Sequence, residues 1–421
     1  MRFSASWLAL SWVTISFLAA AGTGLAEDWP EFRGPTRDGH SRATGLPTEW
    51  GEDKNVRWKV PVKGEGWSSP SIVAGKIYLT AAVPVEGGKE RDRSLRALCL
   101  SADDGTVVWD VEVFKQEHDK VEKIHGKNSH ASPTALVRDG KVYVHFGTQG
   151  TACLDTDGKI LWTTRDIIYK PQHGNGASPI LVDNALIFSC DGSDLQFVVA
   201  LDASNGKVLW KKDRPERANK FSFATAQLIE VNGQKQVISP STNVVIAYDP
   251  KNGDELWNVN YQGFSVIPRP VFGHGMVYLT TSYGTPSLLA IKVDGKGDVT
   301  DSHITWQTNR SAPHTPSLLL VGDDLYCVSD NGVATCFDAK SGDVVWTKRI
   351  GGNYSASPLY AEGRIYFQDE KGEGTVIKAG HEFEEIARNK LPGRTLASYG
   401  VVDSALIIRT DSALYRIENE K

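Results

Sequence analysis

"DASNGKVLW" (Asp202–Trp210) returns as "DPKNGDELW" (Asp249–Trp257), with shorter echoes at "DTDGK" from Asp155 and "DAKSGD" from Asp338. Taken alone, Asp-x-x-Asn-Gly reads like the start of a calcium loop. An EF-type loop needs Gly at its sixth position and a bidentate Glu at its twelfth. Counted from Asp202, Gly206 is fifth and Asp213 twelfth; counted from Asp249, Asn260 is twelfth. Register and closing acid both fail. The loops are hairpin turns, in which Asp accepts backbone N–H bonds and Gly takes a positive φ.

Outward from this turn, an alternating strand precedes it and a Trp-bearing strand follows. Ahead of that pair lies another hairpin that opens on a small residue and Pro: "SSPSIVAGKIYLT" from Ser68, "ASPTALVRDGKVYVHFG" from Ala131 and "ASPILVDNALIFSC" from Ala177. Looser copies begin at Ala224, Pro268, His314, Ala356 and Ala397, which makes eight. Trp109, Trp162, Trp210, Trp257, Trp306 and Trp346 mark the closing strands of six units, spaced about 50 residues apart at first, a blade-like period.

The two ends of the chain are complementary. The seventh unit has Ala387 at the Trp position, and the eighth stops at "ALYRIENEK" without a fourth strand. "NVRWKVPV" (Asn55–Val62) is a fourth strand with no unit before it, and its Trp58 matches the series. The expected fold is therefore all-β: an eight-bladed β-propeller of four-stranded antiparallel blades, closed by the N-terminal strand around Trp58. A lone four-stranded sheet cannot bury both faces, whereas radial stacking covers them.

With 40% hydrophobic and 23% charged residues and a net charge of −5, the 421-residue chain has an ordinary globular make-up. Its densest basic stretch, Lys211–Lys220, also carries Asp213 and Glu216, which argues against nucleic acid as a partner. Arg2, the apolar run Trp7–Ala20 and the small residues ending at Ala26 read as a cleavable export signal. That run is short for a bilayer span, so no transmembrane anchor is expected. The expected layout is a signal peptide over 1–26, an arm over 27–54 and the propeller over 55–421, in a periplasmic or secreted protein. Trp29, Phe32 and Trp50 of the arm are expected to pack on the propeller exterior.

Five cysteines leave one unpaired whatever the pairing. In "CVSDNGVATC" a two-residue Asn331–Gly332 turn would set Cys327 opposite Cys336, at a separation a disulfide spans. A structural bridge and two packed thiols are both open readings.

The unit "ASP…G.VY…VALDASNGKVLW" resembles the pyrroloquinoline-quinone (PQQ)-type propeller repeat, over about Asn55 to Glu418. The resemblance implies that Trp58, Trp109, Trp162, Trp210, Trp257, Trp306 and Trp346 dock each blade on the next. Two branches carry this repeat: quinoprotein dehydrogenases, which hold PQQ and calcium at the ring centre, and non-enzymatic BamB-type scaffolds. The arm "DWPEFRGPTRDGHS" and the tail "VIKAGHEFEEIARNKL" also look like exported PQQ-like propellers common in planctomycete-type bacteria, a group of largely unknown role. The chain has no adjacent Cys-Cys pair, no Cys-x-x-Cys-His and little sequence beyond its blades, so the dehydrogenase parts do not transfer residue by residue. No catalytic residue, metal site or cofactor is expected. PQQ with calcium belongs only to the alternative of a PQQ-dependent oxidoreductase.

"HGKNSHASP" and "HGNGASP" lead into innermost strands, where propeller residues line the central funnel. Trp67, Asn128, His130, His173, Asn175, Arg269 and His314 are the candidate ligand-binding residues of a funnel mouth, with His125 beside them. The expected function is a non-catalytic binding scaffold of the cell envelope, with a protein partner or a small-molecule ligand. A glycan- or peptide-binding propeller is the second alternative. The inserts at 81–97 and 114–130 are where individuality is expected.

Overall fold

The computed structural model describes residues 27–420; the expected export signal, 1–26, lies outside them. Eight sheets follow one another along the chain. Their innermost strands, which define blades 1 to 8, are Ser71–Val73, Leu136–Arg138, Ile180–Val182, Gln227–Val231, Val271–Gly273, Leu319–Val321, Leu359–Ala361 and Gly400–Val402. Blade 8 takes its outer strand from the other end of the chain: Val56–Pro61 pairs antiparallel with Ala413–Ile417, Trp58 opposite Arg416. The eight-bladed ring and its closure are as the sequence predicts. Among the described residues no helix is long and apolar enough to cross a membrane.

Blade docking is built from one repeated contact. The indole Nε1–H of Trp58 donates to Ala102 O at 3.0 Å, that of Trp109 to Thr156 O at 3.0 Å and that of Trp162 to Ala203 O at 3.0 Å. Trp210, Trp306 and Trp346 do the same with Pro250, Ala339 and Gly380 of the following blade. The carbonyl belongs to the turn of the opening motif, which is why that turn carries Gly. Gly206 has φ of 75°, and a Cβ there would lie 2.6 Å from the Trp162 ring. Backbone and indole can touch only where no side chain intervenes.

Trp257 departs from this pattern. It donates to Gln236 Oε1 of its own blade at 2.8 Å. The matching turn of blade 5 is enlarged, and its Gly297–Asp298 pairs parallel with Trp257 and Asn258. Trp257 is fully buried among residues of both blades, so docking persists with a strand in place of the indole bond.

Blade 7 lacks its tryptophan, and the arm supplies one. Tyr78, Tyr143, Tyr278 and Tyr326 each stand about 6 Å from the Trp of their own blade. The equivalent Tyr366 is instead stacked at 6.5 Å on Trp50, beside Ala387. Trp50 N–H donates to Asn389 Oδ1 at 2.8 Å, and Asn389 Nδ2–H donates to Thr48 O at 2.9 Å.

The Cys327–Cys336 bridge does not form. The blade 6 hairpin turns through three residues, Asp330–Gly332, and Ser329 N–H donates to Val333 O at 2.9 Å. The register moves by one, so Cys327 faces Thr335 and Tyr326 faces Cys336. A one-residue slip exchanges the faces of a strand. Cys327 packs toward blade 5 and Cys336 toward blade 7, and all five cysteines are free and buried.

Replacing the arm tryptophan, Trp50→Ala, is expected to cost about 3–5 kcal/mol, the usual range for emptying a buried tryptophan site. Adding Ala387→Trp should restore part of that loss. Urea unfolding of the two variants beside the parent checks it; an unchanged midpoint in Trp50→Ala would show that the arm docks without structural weight.

Candidate functional site

Side chains at alternate positions of an innermost strand face the propeller axis, so each blade contributes one residue to each layer of the channel. The deepest such layer is a ring of hydroxyls. Ser69 N–H donates to Thr134 Oγ1, Thr134 N–H to Ser178 Oγ and Ser178 N–H to Thr225 Oγ1. The series resumes at Arg269 N–H and runs through Ser317, Ser357 and Ser398 back to Ser69, all at 3.0–3.1 Å or shorter. Ser and Thr recur here because each must offer its neighbour an acceptor for a buried N–H. Ser132, which shares the Ser-Pro pattern, lies two residues above the ring and donates to Asn128 Oδ1 at 2.5 Å.

One position of the ring holds Arg269, and there the arm enters. Arg269 Nη1–H donates to Phe32 O at 2.7 Å, and Nη2 stands 3.5 Å from Glu31 Oε2. Glu31 also meets Arg37 at 3.0 Å and Arg138 at 3.4 Å. Trp29 exchanges both backbone bonds with Ile72, Val137 N–H donates to Pro30 O, and Tyr360 N–H donates to Gly39 O. Burial pushes the Arg269 guanidinium down to about 10, against the opposing pull of Glu31. These contacts lie at the far ends of the innermost strands, and Phe32 lines the channel with the hydroxyl ring. The arm therefore crosses and plugs one end of the channel, where the sequence reading placed it on the exterior.

The other end is open. Two residues above the ring, the axis-facing layer carries Trp67, Phe223, Ile267 and Leu396, with the smaller Ser132, Gly176, Thr315 and Ser355 between them. This is the floor of a cavity of about 320 Å³. Its rim is an arc of rings: His125 to His173 at 5.7 Å, His173 to Phe221 at 5.1 Å, Phe221 to Phe264 at 6.1 Å and Phe264 to Tyr283 at 6.3 Å. Lys220 Nζ sits 4.8 Å over Phe264, and the Arg394 guanidinium 5.6 Å over Trp67. Burial and the neighbouring His125 hold His173 below its ordinary range.

Of the residues singled out from sequence, Trp67, Asn128 and His173 line this cup, as does His125. Four do not. Arg269 lies at the plugged end. His314 stands behind the rim, its ring 4.6 Å from Tyr283 and its N–H bonded to Asp330 Oδ2 at 2.7 Å. Asn175 turns back to accept from Tyr169 Oη at 2.8 Å. His130 is turned toward the first insert, where burial, Arg93 and Arg91 depress it to about 4. Phe221, Phe223, Phe264, Ile267, Tyr283 and Leu396 were missed. The period-two spacing from the Ser-Pro starts was the signal that could have found the floor residues among them.

The model of the family described as outer membrane protein assembly factor BamB matches residues 96–319 and 297–381, more than half of the chain. The chain belongs to the BamB family. The BamB of Yersinia pestis is 24% identical over 214 residues, 45% of this chain and 51% of its own length. The BamB of Salmonella typhimurium is 26% identical over 304 residues, 58% of this chain and 76% of its own. The chain spans about half the length of the first of these relatives. Among solved structures, Moraxella catarrhalis BamB superposes with a TM-score of 0.61 at 14% identity, covering 86% of this chain and 96% of that one. A europium-containing methanol dehydrogenase gives the same TM-score at 10% identity, over 92% of this chain and 90% of its own. At such identity these likenesses speak for the fold alone.

The cup can be tested against the calcium and quinone of the dehydrogenase reading. Calcium takes six to eight oxygen ligands, largely carboxylates. The lining of the cup contains no Asp or Glu. The nearby Glu370 is engaged by Lys127 at 2.7 Å and by Ser355 Oγ–H at 2.7 Å. Among the described residues no group of three His, Cys, Asp or Glu side chains is placed to hold a metal. The residues present do not fit the calcium of that pair.

Two depressed histidines give the fold an acid-sensitive window. His145, buried 4.2 Å from Phe188 with Nδ1 2.8 Å from Thr151 Oγ1, is lowered by burial to about 3. With His130 at about 4, both favour the neutral form, so their contribution is complete above about pH 6.5 and falls away as pH drops toward 4. Each lost unit is worth about 1.4 kcal/mol per group at most. The thermal midpoint should decline from pH 6.5 to 4.5, and less steeply in a His145→Asn, His130→Gln double variant. Parallel slopes for parent and variant would assign the acid sensitivity to other groups.

Proposed function

We propose that this chain is a non-catalytic scaffold of the cell envelope that engages a protein partner through its mouth face, without a resident cofactor. The observation that carries the reading is a set of exposed apolar side chains on mouth-side loops, apart from the six on outer strands (Val107, Val108, Leu161, Val208, Leu209 and Ile386). Val85, Ile168 and Leu195 are 45%, 70% and 46% exposed. All three stand on mouth-side loops of blades 1 to 3. The Ile168 and Leu195 loops are tied together, since Lys170 N–H donates to Asp194 Oδ1 at 2.7 Å and Ser193 N–H to Lys170 O at 2.8 Å. Exposed apolar residues on the loops of one face are what a protein contact uses.

Family membership supports the reading, since relatives across several bacteria carry the description of an assembly factor. The plugged end supports it too, because the arm leaves the mouth as the face free to differ from other propellers. The lack of carboxylates in the cup weighs against an oxidoreductase, and the expected export signal supports an envelope location.

A photo-cross-linking residue at position 168 should capture a discrete partner in the envelope fraction, and the same residue at Asn205 on the plugged face should not. Leu195→Asp should abolish the capture without changing the unfolding midpoint. Purified protein given PQQ and calcium should show no dye-linked alcohol or sugar oxidation. Steady turnover in that assay would replace the scaffold reading with the dehydrogenase one.

A further inference from the structure

The cup has a chemical polarity that the scaffold role leaves unused. Its blade 4 and 5 side is apolar: Phe221, Phe223 and Phe264 stand within 5.9–6.1 Å of one another where they pair, and Ile267 lies beneath them. Its blade 1 side is cationic and polar. There Arg394 covers the Trp67 ring and donates from Nη2–H to Gly126 O at 3.3 Å, next to Lys127 and Asn128.

The charges on that side do not cancel. Lys127 is neutralised by Glu370. Asp330 is occupied by the N–H groups of His314 and Thr315 and by Thr315 Oγ1–H, and Asp411 meets Arg394 through its backbone N–H, which donates to Arg394 O at 2.9 Å. Among the described residues neither Arg394 nor Lys220 has a carboxylate partner. Arginine over an indole offers a planar fork that fits a carboxylate in two-point fashion. A neutral sugar would need paired hydrogen-bonding groups around its hydroxyls, and the apolar half of the cup offers rings instead.

We propose that the cup binds a small aromatic carboxylate, its ring seated among Phe221, Phe223 and Phe264 and its carboxylate held by Arg394 above Trp67. A volume of about 320 Å³ admits one bicyclic acid and lies at the small end of ligand pockets. Ile267 of blade 5 lies across the floor from Trp67 of blade 1, with Phe223 beside it, so a flat ligand lies between apolar and cationic walls. The inference rests on reading the cup as a recognition site, and it adds the class of ligand.

The test uses 2-naphthoate as probe, with the full mature chain and no added metal, by calorimetry and by tryptophan fluorescence. Saturable binding at one site is expected, with the neutral 2-naphthylmethanol at least about tenfold weaker. Arg394→Gln should weaken naphthoate by about tenfold and leave the alcohol unchanged, while Arg394→Lys should retain part of the affinity. Phe264→Ala should weaken both probes. Equal affinity for acid and alcohol, indifference to Arg394→Gln, or absence of saturable binding would each overturn the proposal. Preferential binding of a neutral oligosaccharide would overturn it in favour of a glycan site. Cross-linking from position 168 is read independently, so loss of naphthoate binding with capture intact refutes the ligand and spares the scaffold.

Discussion

The ring depends on an indole of one blade lying flat on a turn of the next. The contact buries a large apolar face and satisfies a turn carbonyl that would otherwise be covered by that face without a partner. At five of these contacts a glycine at positive φ (Gly105, Gly158, Gly206, Gly253 or Gly342) lies beneath the ring, where a Cβ would hold the blades apart. A tyrosine stands behind four of the indoles, those of Trp109, Trp162, Trp306 and Trp346. Blade spacing is thus set locally, blade by blade, and ring size follows from accumulating the same small rotation. Every other feature, the channel included, takes its dimensions from this spacing.

Given that spacing, the channel is layered by the pleat of the innermost strands. The hydroxyl ring is the layer in which blades meet most closely, and each Ser or Thr there accepts the N–H of its neighbour. Each hydroxyl of that layer already spends one lone pair between blades. The layer two residues above is free of that duty and varies from Trp67 to Gly176. The arm closes the channel beneath the hydroxyls. Recognition is left to the upper layer and to the loops that rise from it, which are also where the inserts and the exposed Val85, Ile168 and Leu195 stand.

The blade count, the closing strand and the docking tryptophans were legible because each is written several times, so one irregular copy could be recognised by comparison with the others. Trp257 shows the limit: its sequence matches the series, and only the enlarged turn around Gly297 changes its partner. The Cys327 register was misread because Asn331–Gly332 is a common two-residue turn signal, whereas Asp330 here joins the loop and spends its carboxylate on His314 and Thr315. The cup was half legible. Polar residues beside the strand starts drew notice as polar residues, yet His130 and Asn175 point away from the axis. Phe223 and Leu396 look like ordinary strand hydrophobes in sequence, and only their two-residue offset from Thr225 and Ser398 of the hydroxyl ring puts them on the axis. Orientation about the axis is a register property, and residue chemistry alone does not carry it.

Three irregularities of the repeat are not independent losses, since the first segment of the chain meets all three. Blade 8 has no outer strand, and Val56–Pro61 becomes that strand. Blade 7 has Ala387 where an indole belongs, and Trp50 stands there against Tyr366. Blade 5 has Arg269 where the ring needs a hydroxyl, and the arm answers with Phe32 O and the Glu31 carboxylate. A substitution that weakens the repeat survives only where something else offsets its cost, and here the compensating groups lie within residues 27–61. The arm is accordingly part of the propeller rather than an appendage to it. Residues 27–61 thus bridge blades 1, 5, 7 and 8, joining the closure and the plug in one continuous segment. Loops on the mouth face can then diverge without weakening the ring.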